Sequence, residues 1–174
     1  LSLLKLHYRS HCCGHDKEVI KLSKDDDDFV SRHIEDYIRA LFEERKVPKA
    51  QQEQLWTYYY DKLSKGVDVG YSPDLEQYNP ELARSLKHNI AKFSAFKETS
   101  FSDVLKEKLT KNGKIVPWSE FKKEALRVSG LYNVNWLKTE YHQTVATANM
   151  AGKWEDFQRN KELYPNLRYV AIID

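Results

Sequence analysis

Histidine and cysteine side chains are concentrated near the start of the chain, where five of them fall within nine residues. They are His7, His11, Cys12, Cys13 and His15. Imidazole nitrogen and thiolate sulfur are donors that zinc prefers, so the chemistry open to this segment is metal binding. The spacing argues against it, because adjacent cysteines do not form the usual ligand pair separated by two residues. We therefore predict no metal site and interpret residues 1–24 as an N-terminal arm, poorly ordered unless a metal organises it.

The second kind of chemistry that the residue types allow is acid–base catalysis. Glu140 and His142 lie close together, but residues two apart on a helix point to different faces. The sequence contains no glycine-rich phosphate loop and no serine elbow, and none of its predicted helices carries two histidines at zinc-helix spacing. We predict a non-enzymatic protein without a cofactor.

Charge is balanced in total and uneven along the chain. The formal net charge is +2. Residues 25–45 hold eight acids and three arginines, a balance of −5, whereas residues 84–127 hold eleven bases and five acids, a balance of +6. The basic stretch and its surroundings supply the lysines that could contact DNA or another partner: Lys87, Lys92, Lys97, Lys106, Lys108, Lys111, Lys122 and Lys123. Alternating charges on solvated helix faces produce the same pattern, so both interpretations stay open.

Small side chains recur every four residues late in the chain, at Thr144, Ala148 and Gly152. Residues four apart lie above one another on a helix, so these three form one line. Small residues let a second helix approach the backbone closely. We predict a helix-packing face at these positions.

The periodicity of apolar residues predicts a mainly α fold, a packed domain of several helices with a short C-terminal β element. The first helix carries an apolar stripe over residues 29–42, with Asp28 as its N-cap. Pro48 is placed in the first turn of a second helix, which ends near Lys65 with Gly66 as its C-terminal stop.

The second half of the chain shows four further helical segments. One runs from the Asn79 cap to about residue 97, and a shorter one covers residues 102–109, with Ser102 as its cap. The turn dipeptide Asn112-Gly113 follows, and Lys114–Val116 is interpreted as extended. A helix beginning near Trp118 ends at Gly130.

The last predicted helix covers residues 135–162, and residues 167–173 are typical of a β-strand. Such an apolar strand needs a neighbour, either the extended segment near residue 115 or a continuation beyond Asp174. The predicted domains are the arm, residues 1–24, and a helical domain, residues 25–174, interpreted as truncated at its C-terminus.

No apolar run approaches the roughly 18 residues of a membrane span. The two cysteines are adjacent and offer no disulfide framework, which favours a reducing cytoplasm.

Several blocks of sequence resemble one known family. The blocks are FSAFK (93–97), WSEFKKEA (118–125), YNVNWLKTEY (132–141), ATANMA (146–151), Trp154 and YPNLRY (164–169). Together they resemble the Mu F-like minor head proteins, the head-morphogenesis family of tailed phages and prophages. The resemblance covers roughly residues 47–174 and is densest after residue 133.

The resemblance implies a low-copy phage head component that associates with the portal and assists head assembly or DNA delivery, without established catalysis. It implies portal or capsid proteins as partners, and the host cytoplasm and then the virion as locations. Two alternatives stay open. One is a nucleic-acid-binding module of the packaging or ejection apparatus, and the other is the delivery domain of a toxin whose effector is absent here. The sequence does not decide between a monomer and a homo-oligomer.

Overall fold

The structure is a computed structural model that describes residues 24–76, 78–163 and 165–166, with side chains described from residue 32 onward. The chain divides by its contacts into two units, Leu1–Arg32 and His33–Asp174, and the packing described below is that of the second unit. The predicted arm before residue 24 and the predicted strand at 167–173 lie outside the described residues.

The described chain is largely helical, which confirms the predicted fold class. Its elements in order are α1 (Lys24–Glu44), α2 (Lys49–Gly70), α3 (Pro80–Leu109), β1 (Thr110–Lys111), β2 (Lys114–Ile115), α4 (Trp118–Gly130), a π-helical segment (Leu131–Trp136) and α5 (Leu137–Arg159). Helix α2 packs most extensively against α5 and α3, so it is the central helix of the packed unit.

The two short strands form one antiparallel hairpin. Thr110 pairs with Ile115, and Lys111 pairs with Lys114. Asn112 and Gly113 connect them with φ values of 53° and 73°. The turn predicted at this dipeptide is confirmed, because two positive φ values are what a tight two-residue hairpin requires. The extended segment near residue 115 thus pairs with β1, the strand directly after α3.

Two helix ends predicted in the first half of the chain are wrong. Helix α1 begins at Lys24, so Asp28 lies inside it and is not its N-cap. Helix α2 continues past Gly66 to Gly70, and Pro48 lies just before the helix as its N-terminal cap residue. Gly66 stays helical because α5 packs directly against it, a tertiary contact that overrides its preference for helix ends.

One further boundary, in the second half, is also wrong. Helix α3 is one continuous helix, and Ser102 is buried inside it instead of capping a new helix. Helix α4 ends at Gly130 as predicted, although the helical dihedral angles of Gly130, φ −57° and ψ −37°, carry the chain directly into the π-helical segment. Burial of Phe101 and Leu105 holds α3 together where local sequence signals predicted a break.

The core is built from apolar and aromatic side chains of all five helices. The largest fully buried ones are Tyr37, Tyr59, Phe101, Phe121, Ile38, Leu41, Leu63 and Leu105. Tyr58 is also buried beside Tyr59 in α2, while Trp56 stacks on Tyr60 at the core edge. Among the described residues, no helix is both long and apolar enough to cross a membrane.

Candidate functional site

The predicted small-residue face of α5 lies against α2. Ala148 and Gly152 are buried and Thr144 is half-buried. Opposite them, a Cβ added at Gly66 would lie 3.3 Å from the Thr144 methyl carbon, and one added at Gly70 would lie 2.9 Å from the Ala148 Cβ. Glycines on α2 therefore complement small residues on α5, which brings the two helix backbones close together.

Tyr71 closes this contact at the end of α2. A Cβ added at Gly152 would lie 2.6 Å from Cδ2 of the Tyr71 ring, so the ring lies directly on the α5 backbone. The Tyr71 hydroxyl accepts a hydrogen bond from the Asn79 backbone amide at 2.7 Å and lies 3.2 Å from Glu155 Oε2. Asn79 Nδ2 donates to Glu155 Oε1. This bond is the main reason that the pKa of Glu155 lies below its usual value.

Asn79 thus has two roles, which substitutions can separate. Its side-chain oxygen caps α3 by accepting from the Glu81 amide at 2.9 Å and the Leu82 amide at 3.4 Å. We expect Asn79→Ala to lower the free energy of unfolding by about 1–2 kcal/mol, because it removes the cap and the bond to Glu155. Asn79→Ser keeps a capping oxygen and should cost about half as much. Urea denaturation measures both, and equal losses in the two variants would contradict the capping role.

A cluster of buried polar side chains lies inside the helical unit. Lys97 has a side chain only 3% exposed, and its Nζ lies 2.9 Å and 2.8 Å from the two carboxylate oxygens of Glu140 on α5. The same ammonium lies 5.2 Å from the ring centre of Tyr59 and 5.4 Å from that of Tyr132. Burial lowers the pKa of Lys97, and the contact with Glu140 opposes that shift. An ion pair and two aromatic faces therefore hold one lysine inside the protein.

The π-helical segment belongs to the same cluster. It carries Asn133, which is fully buried, accepts a hydrogen bond from the Tyr59 hydroxyl and donates to Ser129 Oγ at 2.8 Å. Tyr132 shares a hydrogen bond of 3.0 Å with Ser100. Burial raises the pKa of Tyr59 well above its ordinary value. In the π-helical segment, whose turn is wider than that of an α-helix, two consecutive residues, Tyr132 and Asn133, are therefore both buried in the core.

A second buried pair joins α1 to α3. The Tyr37 hydroxyl donates to Glu98 Oε1 at 2.7 Å, and both residues are buried. Burial raises the pKa of Glu98 and raises the pKa of Tyr37. The two groups are hydrogen-bonded to each other inside the fold, so the pair can fix how α1 lies against α3.

A groove of about 270 Å³ lies between α3 and α5 above the central helix. Its floor includes Val67 of α2, and its α3 wall includes Leu86 and Ile90. The α5 wall contributes Thr147, which is exposed at the rim, and Glu140, whose carboxylate is paired with the buried Lys97. Leu86 and Ile90 of α3 therefore line an open, mostly apolar groove.

The eight lysines considered for DNA or partner contact do not form one surface. Lys97 is buried, so it cannot reach a phosphate on a partner. Four others are in ion pairs within the chain: Lys87 with Asp68, Lys106 with Asp103, Lys111 with Glu120 and Lys122 with Glu35.

Lys92, Lys108 and Lys123 complete the set. Lys108 and Lys123 border one cleft beside the hairpin together with Lys111, and the same cleft is lined by three glutamates, Glu107, Glu120 and Glu124. Three bases and three acids give this cleft no net charge. Such a surface offers little attraction for a nucleic-acid backbone.

The outward face of α5 carries large apolar side chains. Met150 is 62% exposed, Trp154 57% and Phe157 45%. Their spacing of four and three places them on one side of the helix, opposite the buried Ala148 and Gly152. We call Met150, Trp154 and Phe157 the α5 stripe. Sequence analysis missed it because it assigned this helix only one functional face.

The histidines and cysteines near the start of the chain, which were weighed as metal ligands and predicted to form no metal site, are not placed. His7, His11, Cys12, Cys13 and His15 lie outside the described residues. Within residues 24–76 and 78–163, no group of three or more histidine, cysteine or acidic side chains converges in a way that could hold a metal ion.

Comparison of the chain with protein-family models, with curated proteins and with solved structures finds no match in any of the three.

Proposed function

We propose that this protein is a non-enzymatic component of a phage or prophage head that takes part in head assembly by binding portal or capsid proteins. The observation that carries the proposal is the α5 stripe. Large aromatic side chains on an exposed helix face are typical of protein interfaces, where tryptophan contributes more binding energy than most residues.

The buried polar cluster supports a structural role. Lys97, Glu140, Tyr59 and Asn133 have the chemical character of catalytic groups, but each is bonded to another group inside the fold. Glu140 borders the groove between α3 and α5, but its carboxylate is paired with the buried Lys97, whereas a catalytic acid or base has to bond to the substrate. The resemblance of residues 47–174 to minor head proteins supplies the class of partner. The proposed locations are the host cytoplasm during assembly and then the virion.

Titration calorimetry tests the proposal, using the purified chain with the portal protein and with the major capsid protein encoded nearest to its gene. We expect one of them to bind, and we expect Trp154→Ala to weaken binding at least about thirtyfold because it removes the central aromatic anchor. Ile115→Ala is the matched control, since Ile115 is 52% exposed and lies in the hairpin instead of on α5.

Two results would overturn the proposal. One is the absence of binding to both head proteins. The other is a gel shift of DNA that weakens steeply as salt rises and disappears when Lys108 and Lys123 are replaced with glutamine, because such behaviour identifies phosphate contacts as the main interaction.

A further inference from the structure

We infer that the groove between α3 and α5 and the adjoining α5 stripe form one docking face for a single amphipathic helix of a partner protein, and that acidic residues flank the apolar stripe of that helix. The inference rests on the proposed function and deepens it, because it names the kind of element by which a portal or capsid protein is held. We call groove and stripe together the docking face.

Groove and stripe are one continuous surface. Gln143 and Thr147 of the groove wall lie seven residues before Met150 and Trp154, so the members of each pair are two turns apart on the same side of α5. From Gln143 to Trp154 the face extends for about three turns, or roughly 16 Å along the helix. The groove is its floor on the side of α3, and the stripe continues it outward.

The walls of the docking face favour a helical occupant. Both walls are α-helices, α3 and α5, whose backbone amide and carbonyl groups are hydrogen-bonded within each helix along this length. An extended peptide lying there would find no strand edge to bond to, and its own backbone groups would be buried unpaired. An α-helix satisfies its backbone internally, and three turns of it match the length of the face.

The middle of the docking face selects an apolar stripe on that helix. Leu86, Ile90 and Phe93 form much of the α3 wall. The ionic group in the lining, Glu140, is already paired with Lys97. The groove volume of about 270 Å³ exceeds the roughly 150 Å³ of an engineered cavity that binds one benzene ring, so a large apolar side chain of the partner fits into it.

The two outer borders of the docking face carry lysines. Lys92 lies three residues after Asn89 of the α3 wall, and Lys153 lies three residues after Met150 of the stripe, so each is on the side of its helix away from the groove floor. Neither lysine forms an ion pair with a described residue. Glu81, an acid on the same side of α3 as Lys92, lies three turns away in the first turn of the helix. A helix lying in the groove thus has a lysine on each side, and acids flanking its apolar stripe complement both.

Two synthetic helical peptides of about eighteen residues test the inference. They share one stripe of leucines at spacings of three and four, and they differ only in the residues beside that stripe, which are glutamates in the acidic peptide and lysines in the basic peptide. Fluorescence anisotropy at low salt measures the binding of each labelled peptide to the full chain. We expect the acidic peptide to bind at least about tenfold more tightly than the basic one, because only its charges are opposite to those of the two lysines.

Variants connect this binding to the docking face. Thr147→Arg places a bulky charge on the groove wall and should weaken binding of the acidic peptide at least about thirtyfold. The double variant Lys92→Glu, Lys153→Glu should reverse the preference, so that the basic peptide binds about tenfold more tightly than the acidic one. None of these side chains is buried, so the variants should fold, which circular dichroism verifies. Ile115→Arg, in the hairpin, should bind both peptides like the wild type.

Four results would overturn the inference: no binding of the acidic peptide, equal binding of the two peptides, a preference that the double variant leaves unchanged, or a wild-type dimer that Thr147→Arg dissociates. The last result would make a second copy the occupant. If the acidic peptide binds as expected while no head protein binds, only the proposed function fails. If a head protein binds through Trp154 while any of the four results is obtained, only the inference fails.

Discussion

Gly70→Ala should lower the free energy of unfolding by about 3 kcal/mol, the upper end of what overpacking a core costs. The added Cβ would lie 2.2 Å from the Val145 carbonyl oxygen, far inside van der Waals contact. That oxygen belongs to the backbone of α5, so it cannot rotate away, and the two helices must separate. Separation also disturbs the packing of Ala148 and Tyr71 beside it.

Gly130→Ala is the matched control for this prediction. Gly130 has helical dihedral angles and nothing within 4 Å of an added Cβ. Alanine restricts the unfolded chain and suits a helix, so this variant should be more stable than the wild type by about 0.4–1 kcal/mol. Urea denaturation of the three proteins measures both effects. If Gly70→Ala were as stable as the wild type, the close approach of α2 and α5 would not be a feature of the folded protein.

Glu140→Ala should have a similarly large effect, lowering the free energy of unfolding by about 3–5 kcal/mol. The substitution leaves the ammonium of Lys97 buried without its counter-ion. Removing both charged groups should be far less damaging, so we expect the double variant Lys97→Met, Glu140→Leu to recover most of the loss. Lys106→Ala is the control, because it breaks an exposed pair with Asp103 and should change stability by at most about 0.5 kcal/mol.

The pH dependence of the Glu140→Ala variant gives a second measurement. The pKa of Lys97 is already lowered by burial from its ordinary value of 10.5, and loss of the carboxylate lowers it further. Between the folded pKa and 10.5 the unfolded chain binds more protons than the folded one, so stability rises with pH. The variant should regain stability over a wider range below 10.5 than the wild type does. A parallel pH dependence in the two proteins would contradict the assigned pair.

Local sequence determined most of the elements. The Asn79-Pro80 start of α3, the Asn112-Gly113 turn and the start of α4 at Trp118 follow from short-range chemistry, because caps, positive φ values and proline geometry depend on neighbouring residues alone. The line of Thr144, Ala148 and Gly152 was also visible in the sequence, although its partner was not.

The buried polar cluster was not predicted, although one signal for it was present. Lys97 lies four residues before Phe101, so in an unbroken helix it shares the face that Phe101 buries. The capping pattern at Ser102 suggested a helix break and hid that relation. The π-helical turn could not be predicted, because no residue type in 131–136 distinguishes it from an ordinary helix. Its hydrogen bonds from Asn133 to Tyr59 and Ser129 are visible only in the folded protein.

What the sequence determined by itself is therefore which segments are helices and which residue types could pack closely. Only the tertiary structure decided that Gly66 lies inside a helix that continues to Gly70, that Lys97 is internal and that α5 has an exposed aromatic face. The physical reason is that helix ends and burial depend on contacts between residues far apart in the chain. Packing of one helix on another outweighs the roughly 1 kcal/mol by which a glycine disfavours a helix interior.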